Sequence, residues 1–352
     1  MPLEERLRKA LQDGMVIPAC PLALTKERKW DERRQRALCR YYSDAGAGGI
    51  AVGVHTTQFK IRDVGLFRPL LELMSEEMNR LDERRGMPLF RVAGICGDTK
   101  QAINEATIAR ELGYHAGLLS LSALKDADEE ELISHCKEVS KVIPLFGFYL
   151  QPAVGGRILP YSFWRRLAEE VEELVAIKIA PFNRYQTIDV VRAIAESGRL
   201  DVALYTGNDD NIILDLVTPF KFSVAGSEVE LRIVGGLLGQ WAVWTRKAVE
   251  IFEWCRSVSK AHADVPVELL KIHVHLTDAN GAIFDAVNNF AGCIPGIHEV
   301  LRRQGLLESN LCIDPNETLS KGQLEEIERV WNAYPHLRDD EFVAKHIDEW
   351  MS

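Results

Sequence analysis

A lysine at position 178 sits inside ELVAIKIAP, the most apolar run in the second half of the chain. If that run is a strand, alternation puts Lys178 on one face with Ala176 and Ala180, and Val175, Ile177 and Ile179 on the other. Small neighbours leave room for a ligand beside the amine. Burial penalises an ammonium and lowers a lysine pKa. The neutral amine can then attack a carbonyl carbon and form an imine. The competing reading is a salt-bridged lysine near a strand end.

Other polar residues stand at the ends of apolar runs. Tyr149 closes IPLFGFYL and is followed by Gln151, Pro152, Gly155 and Gly156. A tyrosine at a strand mouth can relay a proton, or it can simply pack at the rim. His55, Thr56, Thr57 and Gln58 follow GGIAVGV. Hydroxyls and backbone N–H groups in such a turn can hold a carboxylate, or they can cap a helix. Thr206, Gly207, Asn208 and Asp209 follow DVALY, and a glycine there lets the backbone approach a ligand. Gly235 and Gly236, read as following the last apolar run, have the same two readings.

His273 and His275 form H-V-H with Asp278 nearby. Such a pair binds metal in barrel hydrolases. Here the context is helical, where positions i and i+2 do not share a face, so no metal site is expected. No G-x-G-x-x-G or P-loop pattern is present.

These residues need a scaffold that gathers strand ends. Apolar runs rich in Val, Ile, Leu, Ala and Gly recur at 15–19, 49–54, 89–95, 116–121, 144–150, 174–179, 202–206 and 231–234. They read as strands buried on both faces. Amphipathic segments at 31–44, 99–112, 128–142, 162–173 and 185–197 lie between them. Alternation of this kind predicts a parallel sheet. Eight strands favour a closed (β/α)8 barrel over residues 1–240, with active-site residues at the C-terminal strand ends. Residues 218–230 read as an insertion before the last strand. Residues 241–352 read as a helical region packed on the barrel, with a helix at 241–259 and loops at 292–296 and 314–316.

The 352 residues carry a formal net charge of -10 and are 47% hydrophobic. An acidic chain with no basic, aromatic-interleaved stretch is a poor match for nucleic acid. No run approaches the roughly 18 apolar residues that span a bilayer, and the start lacks a signal-peptide pattern. Seven scattered cysteines without C-x-x-C spacing fit reduced thiols. The expectation is a cytoplasmic protein without a membrane partner.

The segments GAGGIAVGVHTTQF, FRVAGICGDTKQAINEATIARELGYHAGLL, FYLQP, LVAIKIAPFN, LYTGNDD and IPGIHEVLRRQGLL occur in an order and spacing that resemble dihydrodipicolinate synthase and N-acetylneuraminate lyase. These are pyruvate-handling class I aldolases. The resemblance runs from about Val16 to the C-terminal helices. It implies a lyase without a cofactor, acting on pyruvate or a related 2-keto acid and assembled as a homo-oligomer, a dimer or tetramer. It implies Lys178 as the Schiff-base lysine and Tyr149, in the place of the family's Y-N-V-P tyrosine, as the proton relay. Gly207 matches the glycine after the seventh strand. The G-T-T-G-E turn falls on His55–Gln58, with its threonine pair on His55 and Thr56 or on Thr56 and Thr57. Substrate binding is thus expected at His55, Thr56, Thr57 and Gly207, and also at Gly235 from its place after the last apolar run.

The chain also departs from the pattern. The arginine that follows the tyrosine is absent near Val154, with Arg157 three residues on. SLSALKDAD replaces the paired tyrosines after the fourth strand, and Gln58 replaces the glutamate. These losses leave open a Schiff-base dehydratase of a sugar acid and a non-catalytic keto-acid binder. A metal-dependent barrel hydrolase is a third alternative.

Overall fold

The computed structural model describes residues 2–352. The chain opens with α1 (Glu5–Asp13), β1 (Val16–Pro18), α2 (Glu32–Ala45), β2 (Gly49–Val52), α3 (Phe67–Asp82) and β3 (Phe90–Ile95). It continues through α4 (Thr99–Glu111), β4 (Ala116–Leu119), α5 (Glu129–Ser140), β5 (Leu145–Tyr149), α6 (Tyr161–Glu170), β6 (Leu174–Ile179), α7 (Arg184–Ser197) and β7 (Ala203–Thr206). Then come α8 (Ile212–Val217), β8 (Phe220–Val224), β9 (Ser227–Leu231) and β10 (Ile233–Leu238). The remaining helices are α9 (Thr245–Lys260), α10 (Val267–Ile283), α11 (Cys293–Arg303), α12 (Gln323–Ala333) and α13 (Asp340–Trp350).

Eight strands form one sheet in the order β1-β10-β7-β6-β5-β4-β3-β2. A parallel bridge between Ala19 and Ala51 joins its two ends. The fold is the (β/α)8 barrel that the alternation predicts. Every residue of β3, β5 and β6 is buried, as strands covered on both faces must be. Local signals set the helix ends. Asp128 and Glu131 make a reciprocal capping box at the start of α5. Asn183 accepts two backbone N–H groups at the start of α7, and Gly198 ends it at φ 73°.

Close packing divides the chain into two compact units. One comprises Phe90–Leu237, the stretch up to Met15 and Cys255–Val265; it contains β3 to β7 and nearly all of β10. The other comprises Val16–Leu89, Leu238–Trp254 and Pro266–Ser352; it contains β1, β2 and α10 to α13.

The structure resolves one feature of the sequence reading and corrects two others. The 218–230 insertion is a β-hairpin, β8 with β9, in antiparallel register from Phe220–Leu231 to Val224–Ser227. Its turn has positive φ at Ala225 and Gly226, the requirement of a two-residue primed turn. The last barrel strand starts at Ile233 and runs through Gly235 and Gly236 to Leu238, so these glycines lie inside the strand, not after it. A Cβ on Gly235 would stand 2.6 Å from the Met15 carbonyl oxygen and 2.6 Å from the Tyr205 ring. Glycine here reflects close approach of backbone and ring, which a propensity reading mistakes for a strand end. Finally, 293–296 is the first turn of α11 rather than a loop, with Gly292 at its N-cap. Pro295 is tolerated so near a helix start, and Gly296 lets the helix approach the Ile283 carbonyl, which a Cβ would meet at 1.9 Å.

Candidate active site

Lys178 is the penultimate residue of β6 and is 9% exposed. Its register partners are Phe148 on β5 and Tyr205 on β7. Aligned residues of parallel neighbours point the same way, so these three side chains share a face. Two residues earlier the same face carries Phe146, Ala176 and Ala203. Phe146 meets Tyr205 edge-on at 5.3 Å, and the Tyr205 hydroxyl donates to the Leu11 carbonyl at 2.7 Å. The Lys178 Nζ lies 4.6 Å from the centroid of the Phe148 ring. A cation over a ring face gains about 0.5–2 kcal/mol, more as water is excluded.

Gly207 completes the surroundings of the lysine stem. A Cβ there would come 2.7 Å from Lys178 Cε and 3.0 Å from its Cγ. The glycine is thus required by the path of the lysine and by Ala180, whose Cβ would be equally close at 2.7 Å, and its own N–H is tied to the Ile179 carbonyl at 2.6 Å.

A buried carboxylate holds this strand end. Asp215 on α8 is fully buried and accepts from Arg184 Nη1 at 2.6 Å, Thr206 Oγ1 at 2.6 Å, Asn208 Nδ2 at 3.0 Å and Asn211 Nδ2 at 3.2 Å. Asn208 in turn accepts from the Phe182 N–H at 3.4 Å. Asp215 therefore links the loop after β6 to the loop after β7, on either side of Gly207. Burial pushes its carboxyl above the ordinary range, and Arg184 with the other donors opposes that shift. The same burial, together with Asp215, raises Asp210. The sequence reading missed Asp215. Its signal was a lone carboxylate inside the apolar run IILDLV, since such a residue is buried only when partnered.

Tyr149 is paired in register with Ile179, not with Lys178. Alternation therefore directs it to the opposite face of the sheet, where its ring packs against Trp164 of α6 at 5.2 Å, tilted by 37°. Its hydroxyl accepts the Leu159 N–H at 3.2 Å, and burial raises its pKa. Phe148 is the β5 residue beside the lysine. Arg157 donates to the carbonyls of Leu124 at 2.5 Å and Ala127 at 3.0 Å. Its guanidinium thus fastens the loop after β4. An open groove of about 1000 Å³ lies at that loop, lined by Ser122, Leu124, Asp126, Ser134 and His135. Lys178 is not among its lining residues.

In the other unit, His55–Thr57 forms one turn of 3-10 helix after β2. The Thr56 hydroxyl donates to the Ala19 carbonyl at 2.7 Å and that of Thr57 to the Cys20 carbonyl at 2.6 Å. Both protons are thus spent on backbone, and the oxygens retain only acceptor capacity. His55 packs its ring 6.0 Å from Phe59. Gln58, at φ 69°, accepts from the Ile313 N–H at 2.7 Å. Among the described residues no group of three or more His, Cys, Asp or Glu side chains is placed to hold a metal ion. No helix among them is long and apolar enough to cross a membrane.

No protein-family model and no curated protein sequence matches the chain. Solved structures do. Dihydrodipicolinate synthase from Aquifex aeolicus is similar with a TM-score of 0.72 at 18% identity, over 92% of this chain and 98% of that one. N-acetylneuraminate lyase from Fusobacterium nucleatum is similar with a TM-score of 0.71 at 16% identity, over 94% and 100%. A prophage protein of the dihydrodipicolinic acid synthase family from E. coli K12, solved in complex with pyruvate, gives 0.71 at 15% identity, over 92% and 97%. Over nearly its whole length, the chain has the (β/α)8 fold of the dihydrodipicolinate synthase and N-acetylneuraminate lyase structures.

Proposed function

We propose that the chain is a Schiff-base-forming lyase for pyruvate or a related 2-keto acid, with Lys178 as the imine-forming residue. The observation that carries this is a buried lysine at the C-terminal end of a barrel strand, where barrel enzymes place their chemistry. Its stem is cleared by Gly207, and its amine lies against the face of Phe148. The neutral amine attacks the 2-keto carbon, and loss of water with uptake of one proton leaves a protonated imine. That cation draws electrons from the adjacent carbon, where a C–C or C–O bond is made or broken. The Phe148 ring, which attracts the ammonium, attracts the protonated imine as well. The solved pyruvate complex of a structure with the same fold supports the substrate class.

Tyr149 as proton relay and His55, Thr56, Thr57 and Gly207 as substrate-binding residues belong to the same proposal through the resemblance, whereas Gly235, packed inside β10 against Met15 and Tyr205, is left out of it. The Tyr149 relay requires the ring to leave Trp164 and the Leu159 N–H. That observation favours a second reading, in which the chain forms the imine without turning it over. Exchange of the pyruvate methyl protons for deuterium separates the two. Exchange that disappears in Lys178→Ala supports the lyase. Imine formation without exchange supports the binder. Dimer or tetramer assembly is expected on the same grounds, with light scattering as its check.

A further inference from the structure

The H-V-H motif has no part in the site above, and the fold separates its two histidines. On α10, His273 and His275 are two positions apart and face different directions. His275 finds a different partner, His336, in the turn that follows α12. Its Nδ1 lies 3.1 Å from His336 Nε2, with the rings at 65°. The His275 ring is stacked on Tyr334 at 4.7 Å and 20°. The Tyr334 hydroxyl donates to Asp278 at 2.7 Å, and Arg329 donates to both oxygens of Asp278 at 2.8 and 2.9 Å. A chain of contacts thus fixes the plane of one imidazole, as outer partners do around bound metals.

Two nitrogens bound to one tetrahedral zinc ion at about 2.0–2.1 Å stand roughly 3.3–3.4 Å apart. The pair is within a few tenths of an ångström of that spacing. Binding needs a tautomer shift that moves the shared N–H to the outer nitrogen of its own ring, and a turn of the ring nitrogens by about 35° off their common line so that both lone pairs meet one tetrahedral ion.

We propose that His275 Nδ1 and His336 Nε2 form a two-histidine surface site for a borderline divalent transition ion. The ion ties α10 to the turn after α12. Water completes the coordination, because Asp278 is committed to Arg329 and Tyr334. Imidazole ligands suit zinc, copper and nickel over magnesium or calcium.

Calorimetric titration of the chelator-treated full chain with Zn2+ tests the site. His275→Ala and His336→Ala each lose one bound ion relative to the wild type, while His273→Ala keeps it. Counting by difference removes any contribution from the partly exposed thiols of Cys96 and Cys293. Glutamine at either position keeps a hydrogen-bond partner for the remaining imidazole, and it replaces an alanine variant that fails to fold. An equal number of ions on the wild type and on both site variants overturns the proposal. So does a wild type with no saturable binding.

Discussion

At the residue scale, the decisive feature is the space around one amine. Lys178 has a fixed path because Gly207 offers no side chain, and Gly207→Ala places a methyl 2.7 Å from Lys178 Cε. The amine must move. A displacement of about 1 Å can cost about a hundredfold in rate. Borohydride trapping of a keto acid is therefore expected to slow by at least about tenfold in Gly207→Ala, with the folded far-ultraviolet spectrum retained. Trapping at the wild-type rate would show that the glycine does not govern the lysine. Lys178 itself was legible in the sequence, because a charged residue in an apolar strand is rare and alternation assigns its face. Phe148 was not. Which neighbour faces the lysine depends on the register of β5 against β6, which includes an irregularity between Leu145 and Phe146. Tyr149 drew attention for its chemistry, while the register turns it toward Trp164.

At the element scale, loops hold the strand ends. Asp215 gathers donors from the segments after β6 and β7, and its loss leaves the buried Thr206 hydroxyl without its acceptor and takes one of two acceptors from Asn208 Nδ2, which also donates to Thr187 Oγ1 at 3.3 Å. Each orphaned buried donor costs about 1–3 kcal/mol. Asp215→Ala is expected to lower the unfolding free energy by about 2–4 kcal/mol in urea titrations. A change below about 0.5 kcal/mol, the usual range for surface substitutions, would mean that the network is dispensable. The hairpin offers the opposite sign. Ala225 is held at φ 48°, where a side chain costs roughly 1–2 kcal/mol. Ala225→Gly is expected to raise the melting temperature, and a lower one would contradict the turn. The alternation of apolar runs and amphipathic segments revealed the barrel. It could not reveal the hairpin, whose strands pair only with each other and alternate exposed with half-buried residues. Nor could it place β10, because Gly235 and Gly236 break the apolar signal, the first of them where Met15 and Tyr205 require a glycine.

At the scale of the whole molecule, each unit contains a histidine that burial keeps neutral. His115 is pushed down to about 4 by burial and then by Arg91, and its Nδ1 accepts the Arg91 N–H at 3.1 Å. His298, on α11, is fully buried and is also pushed to about 4 by burial. Unfolded histidine titrates near 6.5. Between pH 4 and 6.5 the unfolded chain therefore binds protons that the folded chain refuses. Stability from these groups is complete above pH 6.5 and is lost as the pH falls toward 4. Two protons taken up on unfolding give a slope of up to about 2.7 kcal/mol per pH unit. Urea midpoints measured across that window check it, and a flat profile would contradict buried neutral histidines in both units.

The central claim is the imine at Lys178, and the most direct test is the intact mass of the full chain after incubation with pyruvate and borohydride, followed by peptide mapping. A single reduced pyruvate adduct is expected on the peptide that carries Lys178, absent from Lys178→Ala. An adduct on another lysine, or none with pyruvate or any other 2-keto acid, would contradict it.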